Sequence, residues 1–147
     1  MSNSSDATST RKVRVMQIGA SLLAVDDDQV LAIVEYVEPT PLPFAPPSVL
    51  GIVSIEGKMF TVLETTGVAQ TRKYLLALRG DEQLAIAIDE CEGPAEIEKE
   101  LVNHPETATA IYLHSTVSDG QRDIPLLDVD KLFSGILQGR ERRRRRL

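Results

Sequence analysis

The chain has 147 residues, 16 of them basic and 22 acidic, and its formal net charge is −6. This length fits one domain, or two small barrels packed tightly together. No apolar run in the sequence approaches the roughly 18 residues of a membrane span, and residues 1–12 lack the apolar core of a secretory signal. The single cysteine, Cys91, cannot form an internal disulfide, which favours a reducing cytoplasm.

The charges are divided between an acidic body and a basic C-terminus. From Val13 to Gly139 there are 8 basic and 20 acidic residues, a net charge of −12, whereas six of the last eight residues are arginine. An acidic body repels nucleic acid and anionic membranes, so binding to either would depend on the arginine-rich tail at 140–147. A charge run of this kind is most often solvated, although the tail could also pair with the acidic body.

The pattern along the chain predicts an all-β fold with minor α content. Residues 1–12 are polar and without periodicity, which predicts a disordered leader before a folded region at 13–139. Short alternating or β-branched runs bounded by turn residues are typical of strands. They predict a hairpin over Val13–Val25, a strand or short helix over Val30–Val37, and hairpins over Leu50–Leu63, Tyr74–Ile88 and Ala110–Leu127.

Three further segments depart from this strand pattern. Five prolines between Glu38 and Pro47 lack the N–H that a sheet ladder needs, which predicts an extended loop. The charged run Glu96–Leu101 predicts a helical turn or an irregular loop. Asp128–Leu137 predicts a closing helix, because an aspartate suits the N-cap and apolar residues follow at helical spacing. About eight to ten short strands with regular turns indicate a sandwich or a barrel.

The histidines and the cysteine do not form a recognisable catalytic or zinc site. His104 and His114 are the only histidines, and with one cysteine they are too few for zinc. Cys91 lies between Glu90 and Glu92, whose negative charges raise a thiol pKa. We therefore expect Cys91 to be structural rather than nucleophilic.

Two other motifs fail on spacing. Asp26-Asp27-Asp28 lacks the alternate ligands, the central glycine and the closing glutamate of a calcium loop. Gly51 and Gly57-Lys58 lack the spacing and the final Ser or Thr of a phosphate loop. The sequence therefore predicts a binding module with no enzyme activity, no metal and no cofactor.

Several ordered segments resemble the CheW-like domain family. Between Val30 and Leu63 the chain reads V-L-A-I-V-E-Y-V-E-P-T-P-L-P-F-A-P-P-S-V-L-G-I-V-S-I-E-G-K-M-F-T-V-L. This is similar to that family's V-x-x-I strand, Pro-rich loop, A-P-x-x-[VI]-x-G segment and following hairpin. Tyr74–Cys91 resembles the family's hairpin ending in V-D-x-V, and Ile124–Phe133 resembles its closing strand and helix.

The resemblance implies two packed, five-stranded SH3-like β-barrels with a short C-terminal helix. It also implies a cofactor-free adaptor that couples the histidine kinase CheA to the cytoplasmic tips of chemoreceptors, and that reaches the membrane only through them. By position, it implies partner-binding roles for Val30, Ile33, Val49, Leu50, Gly51, Ile52, Ser54 and Glu56. The alternative function is a small β-barrel protein that binds nucleic acid or anionic membrane through its arginine-rich tail.

Two departures from the family pattern concern the hairpin that would face a receptor. Ser54-Ile55-Glu56-Gly57 stands where the family has N-L-R-G, so Glu56 reverses the charge of an arginine. Thr61, Glu64 and Thr65 replace the Pro, Asp and Leu of the family's P-[VI]-[VI]-D-L strand. Because charge at an interface governs the choice of partner more than raw affinity, we expect a divergent chemosensory system, or binding to only one of the two usual partners.

Overall fold

The structure is a computed structural model, and it describes residues 10–64, 71–98, 102–103, 115–118 and 121–132. Within these ranges twelve strands form two sheets, and residues 129–132 are helical. In chain order the strands are β1 (Thr10–Ile18), β2 (Ser21–Asp26), β3 (Val30–Glu35), β4 (Val49–Ile55), β5 (Lys58–Leu63), β6 (Tyr74–Leu78), β7 (Leu84–Ile88), β8 (Glu90–Cys91), β9 (Ala95–Glu98), β10 (Val102–Asn103), β11 (Ser115–Ser118) and β12 (Asp123–Leu126). A single 3-10 turn, Asp27–Gln29, joins β2 to β3.

The first sheet is built around the β1–β2 hairpin. Its strand order is β10-β11-β12-β2-β1-β8, and β9 also pairs with β1. β8 and β9 follow one another along the same edge of β1. The break between them contains Gly93-Pro94, where proline has no N–H to donate to the ladder.

The second sheet has the strand order β3-β6-β7-β5-β4. β4 with β5 and β6 with β7 are antiparallel hairpins, and the parallel pairing of β5 with β7 joins them. Thr40, which follows the edge strand β3, pairs with Ile52 on the opposite edge strand β4. The sheet is therefore curled, so that the chain leaving one edge is fastened to the other.

β6 and β7 are buried on both faces, and their alternation divides the core. On one face large side chains, among them Leu76, Ile86 and Ile88, pack together with Met16 and Leu23 of the first sheet. On the other face the alternate positions line the interior of the second sheet, with Ala77, Ala85 and Ala87 beside Phe60 and Val62. Each fully buried Leu or Ile contributes about 1.5–3 kcal/mol, so the layer shared by the two sheets holds them together.

The predicted all-β fold of two packed β units with a short C-terminal helix is confirmed. One unit has the expected five strands. The other is a seven-stranded sheet, because the chain that runs along β1 is split into β8 and β9 and because the short β10 adds to its far edge. Val30–Glu35 is a strand, which decides the alternative that the sequence left open.

The prediction of a helical turn or irregular loop over Glu96–Leu101 is wrong where the structure describes it. Ala95–Glu98 forms β9, antiparallel to β1, with Glu96 opposite Lys12. Ile97 is buried in the interior of the first sheet. One buried apolar side chain and a cross-strand pair of opposite charges favour a strand here.

Some predicted segments are described only in part. β1 begins at Thr10, so residues 10–12 of the predicted leader belong to the sheet, and residues 1–9 lie outside the described residues. The predicted helix is described as far as Leu132. The strand predicted from Ala110 is described only from Ser115, where β11 begins. His104, His114 and the arginine-rich tail lie outside the described residues.

Candidate functional site

β4 carries most of the partner-binding residues expected from the sequence, and it divides them between the interior and the surface. Val49, Leu50 and Ile52 are half-buried, Gly51 is buried and Ser54 is exposed. Side chains alternate across a strand, so this set does not form a single continuous face. Only part of it is available to a partner without a change in the fold.

Three of the expected residues lie along the core that the two sheets share. Val30 and Ile33 on β3 and Val49 on β4 are half-buried and pack against this core. Leu50 packs instead against the interior of the second sheet. The junction between the sheets is therefore flanked by partly exposed apolar side chains from both edge strands of the second sheet.

Gly51 stands at a close approach between two backbone segments. Its φ angle is +149°, and a Cβ at this position would lie 2.2 Å from the carbonyl oxygen of Thr40. Thr40 and Ile52 exchange two backbone hydrogen bonds, each with an N–O distance of 2.9 Å. Glycine is therefore needed at 51 so that the segment after β3 can cross β4, which is a structural role.

Glu56 lies at the tip of the β4–β5 hairpin and is exposed. Its φ angle is 52° and that of Gly57 is 81°, and the flanking residues Ile55 and Lys58 form the last pair of the ladder. Positive φ at both central residues is the pattern of a type I′ turn. The carboxylate is thus presented at the end of a tight hairpin, in reach of a partner.

A buried carboxylate that sequence reasoning did not single out links several segments. Asp89 accepts hydrogen bonds from the backbone N–H groups of Gly19 at 2.7 Å, Thr71 at 2.7 Å and Arg72 at 2.8 Å. The Thr71 hydroxyl adds a fourth bond at 3.1 Å. The signal in the sequence is an aspartate directly after a wholly apolar five-residue strand, where burial requires it to be bonded.

Cys91 is half-buried, and the expected direction of its pKa shift is found. Burial is the main cause of the raised thiol pKa, the charge of Glu92 adds to it, and Arg14 opposes it. The sequence argument identified the acidic neighbour but could not show the burial. A thiol with a raised pKa carries little thiolate at neutral pH and is a poor nucleophile.

A cleft of about 280 Å³ opens beside the ends of β1, β2 and β12. At its edge Arg11 donates two hydrogen bonds to the carboxylate of Asp26, at 2.6 and 3.0 Å, and this contact raises the pKa of the Arg11 guanidinium. Asp128 and Asp130 also line the cleft. The described lining contains no histidine or cysteine that could act as a base or a nucleophile.

Metal-binding and membrane-spanning features can be assessed only for the part of the chain that the structure describes. There, no three His, Cys, Asp or Glu side chains are close enough together to hold a metal ion. In the same ranges, no helix has the length and apolar character required to cross a membrane.

The loop between β3 and β4 exposes a large aromatic side chain that sequence reasoning missed. Phe44 is 90% exposed, and its φ angle is 63°. The sequence held a signal for it, since Phe44 is the one aromatic residue within the proline-rich segment and no charged residue occurs from Pro39 to Ile55. An exposed aromatic residue in a binding protein is a candidate anchor for a partner.

Comparison with known proteins gives one family and one described fold. The family model for the CheW-like domain matches residues 12–136. A crystal structure of the scaffolding protein TtCheW from Thermoanaerobacter tengcongensis superposes with a TM-score of 0.69 and 16% sequence identity, covering 80% of this chain and 88% of that one. No curated protein sequence matches this chain. At this identity the structural likeness establishes the fold alone.

Proposed function

The chain belongs to the CheW-like domain family, and from this premise we propose that it is a non-catalytic adaptor of a chemotaxis-type signalling system. In this role it couples a CheA-like histidine kinase to chemoreceptors, in the cytoplasm, and it needs neither a metal nor a cofactor. The family match over residues 12–136 is the observation that carries the proposal. The similar fold of TtCheW, which is described as a scaffolding protein, supports it.

The junction between the two sheets is the surface that we assign to partner binding. Val30, Ile33 and Val49 are half-buried there and continue the shared core towards the solvent. A partner that covered them would bury additional apolar surface without rearranging the fold, as the centre of a protein interface does. Membrane association then follows only from the receptors that the adaptor binds.

The charge of Glu56 bears on which receptor is bound. It is exposed at the tip of the β4–β5 hairpin, two residues after the exposed Ser54. A carboxylate at this place repels an acidic partner surface and attracts a basic one. We therefore assign to this chain a receptor whose contacting surface is basic or neutral near the hairpin, or an adaptor role with the kinase alone.

Binding measured with purified partners tests the proposal. The full chain is titrated against the CheA-like kinase and against the cytoplasmic domain of a chemoreceptor from the same organism. We expect saturable binding to at least one of them. Failure to bind either one overturns the adaptor function.

A charge-reversal pair tests the role of Glu56 separately. Glu56→Arg should strengthen binding to a conventional chemoreceptor tip, whereas Glu82→Arg should not. Glu82 is a matched control because it is exposed in the β6–β7 turn of the same sheet. An unchanged dissociation constant for Glu56→Arg would show that the hairpin charge does not select the receptor.

A second candidate function rests on the six arginines among the last eight residues. A basic tail on an acidic body could bind nucleic acid or anionic lipid with a steep dependence on salt. A chain ending at Gly139 should lose such binding. Binding that survives the truncation excludes the tail as its cause.

A further inference from the structure

Phe44 is held in a conformation that no packing within the described residues explains. At 90% exposed it is the most solvent-accessible of the large apolar side chains there, and Val37 at 61% comes next. Its positive φ of 63° is one that a bulky side chain rarely adopts. Backbone strain without burial in return is the kind of feature that points to a use outside the fold.

The loop that carries Phe44, residues 39–48, which we call the proline loop, is fastened at both ends. Thr40 and Ile52 exchange two backbone hydrogen bonds of 2.9 Å at its start. At its end the N–H of Val49 donates to Pro46, and the N–H of Glu64 donates to Ser48, both at 2.9 Å. Prolines fix the φ angle at five positions between Glu38 and Pro47, so the loop has few conformations to lose when a partner binds.

The charges around the proline loop indicate the chemistry of its partner. No charged residue occurs from Pro39 to Ile55, although the body of the chain is strongly acidic. The nearest acidic residues on either side, Glu38 and Glu56, are both exposed. A complementary surface would therefore have an apolar centre and a basic rim.

We propose that Phe44 is the anchor through which this chain docks into an apolar pocket with a basic rim on a partner protein. A rigid loop presents the ring, so little entropy is lost when the pocket encloses it. The inference rests on the proposed adaptor function and adds to it a second docking surface, distinct from the junction between the two sheets. One partner can then occupy the junction while another holds Phe44.

The test is a titration of two variants against purified partners. Wild-type chain, Phe44→Ala and Val37→Ala are each titrated against the CheA-like kinase and the receptor cytoplasmic domain. Removing an anchor aromatic should weaken binding to one partner about 10- to 100-fold. Val37→Ala removes a comparably exposed apolar side chain outside the proline loop and should leave both affinities unchanged.

A second variant separates binding from folding. Phe44→Gly relieves the positive φ, so we expect its melting temperature to equal or exceed that of the wild type while its binding is weakened like that of Phe44→Ala. Glu38→Lys should slow association with the same partner most strongly at low salt, because rim charges act on the association rate. Loss of binding together with a lowered melting temperature would instead show that Phe44 serves the fold.

The remaining outcomes also decide the matter. If the wild-type chain binds and Phe44→Ala binds both partners equally well, the anchor is excluded and the adaptor function stands. If the wild-type chain binds neither partner, both proposals fail. If the wild-type chain is a dimer in solution and Phe44→Ala makes it monomeric, the occupant is a second copy of this chain and the proposed partner class is wrong.

Discussion

The carboxylate of Asp89 accepts a hydrogen bond from the backbone N–H of Gly19 at 2.7 Å, which links the end of β7 in one sheet to the β1–β2 turn of the other. The same carboxylate holds the N–H groups of Thr71 and Arg72, just before β6. One side chain thus fastens three chain segments at the place where the chain passes from the second sheet back to the first. The relative position of the two sheets, and so the junction between them, depends on this contact.

Replacing Asp89 with alanine removes the acceptor of three backbone N–H groups. An unsatisfied polar group that is shielded from water costs about 1–3 kcal/mol, and these groups are partly buried, so we expect the free energy of unfolding to fall by about 2–4 kcal/mol. Asp89→Asn keeps one acceptor oxygen and should lose about half as much. Urea unfolding followed by circular dichroism measures both, with the exposed Glu82→Ala as the control. A wild-type midpoint for Asp89→Ala would show that the contact does not stabilise the fold.

Two glycine substitutions separate backbone strain from steric overlap. Gly51 and Gly80 both have strongly positive φ, but only at Gly51 would a Cβ meet other atoms, the nearest being 2.2 Å away on Thr40. We expect Gly80→Ala to cost about 1–2 kcal/mol through strain. Gly51→Ala should cost at least a further ~2 kcal/mol, because the backbone pair of Thr40 and Ile52 must separate. Equal losses in thermal unfolding would contradict the close approach at Gly51.

The β4–β5 turn predicts a stabilising substitution. Glu56 occupies a position with φ of 52°, directly before Gly57, and Asn-Gly is the preferred pair in a type I′ turn. Glu56→Asn should therefore raise the free energy of unfolding by about 0.5–1 kcal/mol. Glu82→Asn, in the other hairpin of the sheet, is the control and should show no such gain. If both variants unfold at the same temperature, the turn geometry is not what limits stability.

The buried thiol predicts a dependence on pH. Burial raises the pKa of Cys91, so alkylation of the native protein by iodoacetamide should be slow at neutral pH, with a midpoint above the ordinary thiol value of about 8.5. The folded state holds this proton more tightly than the unfolded state does. Its contribution to stability is therefore complete below about pH 8.5 and is lost as the pH rises through the folded-state pKa.

The charge of Arg14 allows a check on the cause of this shift. Arg14 opposes the rise in the Cys91 pKa, so Arg14→Gln should move the alkylation midpoint to still higher pH. The denatured chain supplies the reference for an ordinary thiol. A native midpoint at or below that reference would mean that Cys91 is not shielded as the structure indicates.

Local patterns were sufficient to predict the hairpins but not the long-range pairings. The apolar runs Leu50–Ile55, Tyr74–Leu78 and Leu84–Ile88 read correctly as strands, because their length and bounding turn residues are local signals. The pairing of β9 with β1 was missed, since a charged run with one buried residue, Ile97, resembles a loop until its partner strand is known. The parallel pairing of β5 with β7 likewise has no local signature.

The candidate site was predictable only as a set of sequence positions. The family-like segments place Val30, Ile33 and Val49 correctly beside the junction between the sheets. They could not show that Gly51 serves the backbone, because this depends on the crossing of Thr40 from a distant segment. The exposure of Phe44 likewise depends on how the proline loop is fastened, which no periodicity in the sequence reports.

The most direct test of the adaptor function is recruitment of the kinase to receptors. Vesicles carrying the chemoreceptor are sedimented with the CheA-like kinase, in the presence and absence of this chain. The account predicts that the fraction of kinase in the pellet rises with added chain until the receptors are saturated, and that omitting the receptor abolishes the effect. An amount of sedimented kinase that does not change when the chain is added would contradict the account.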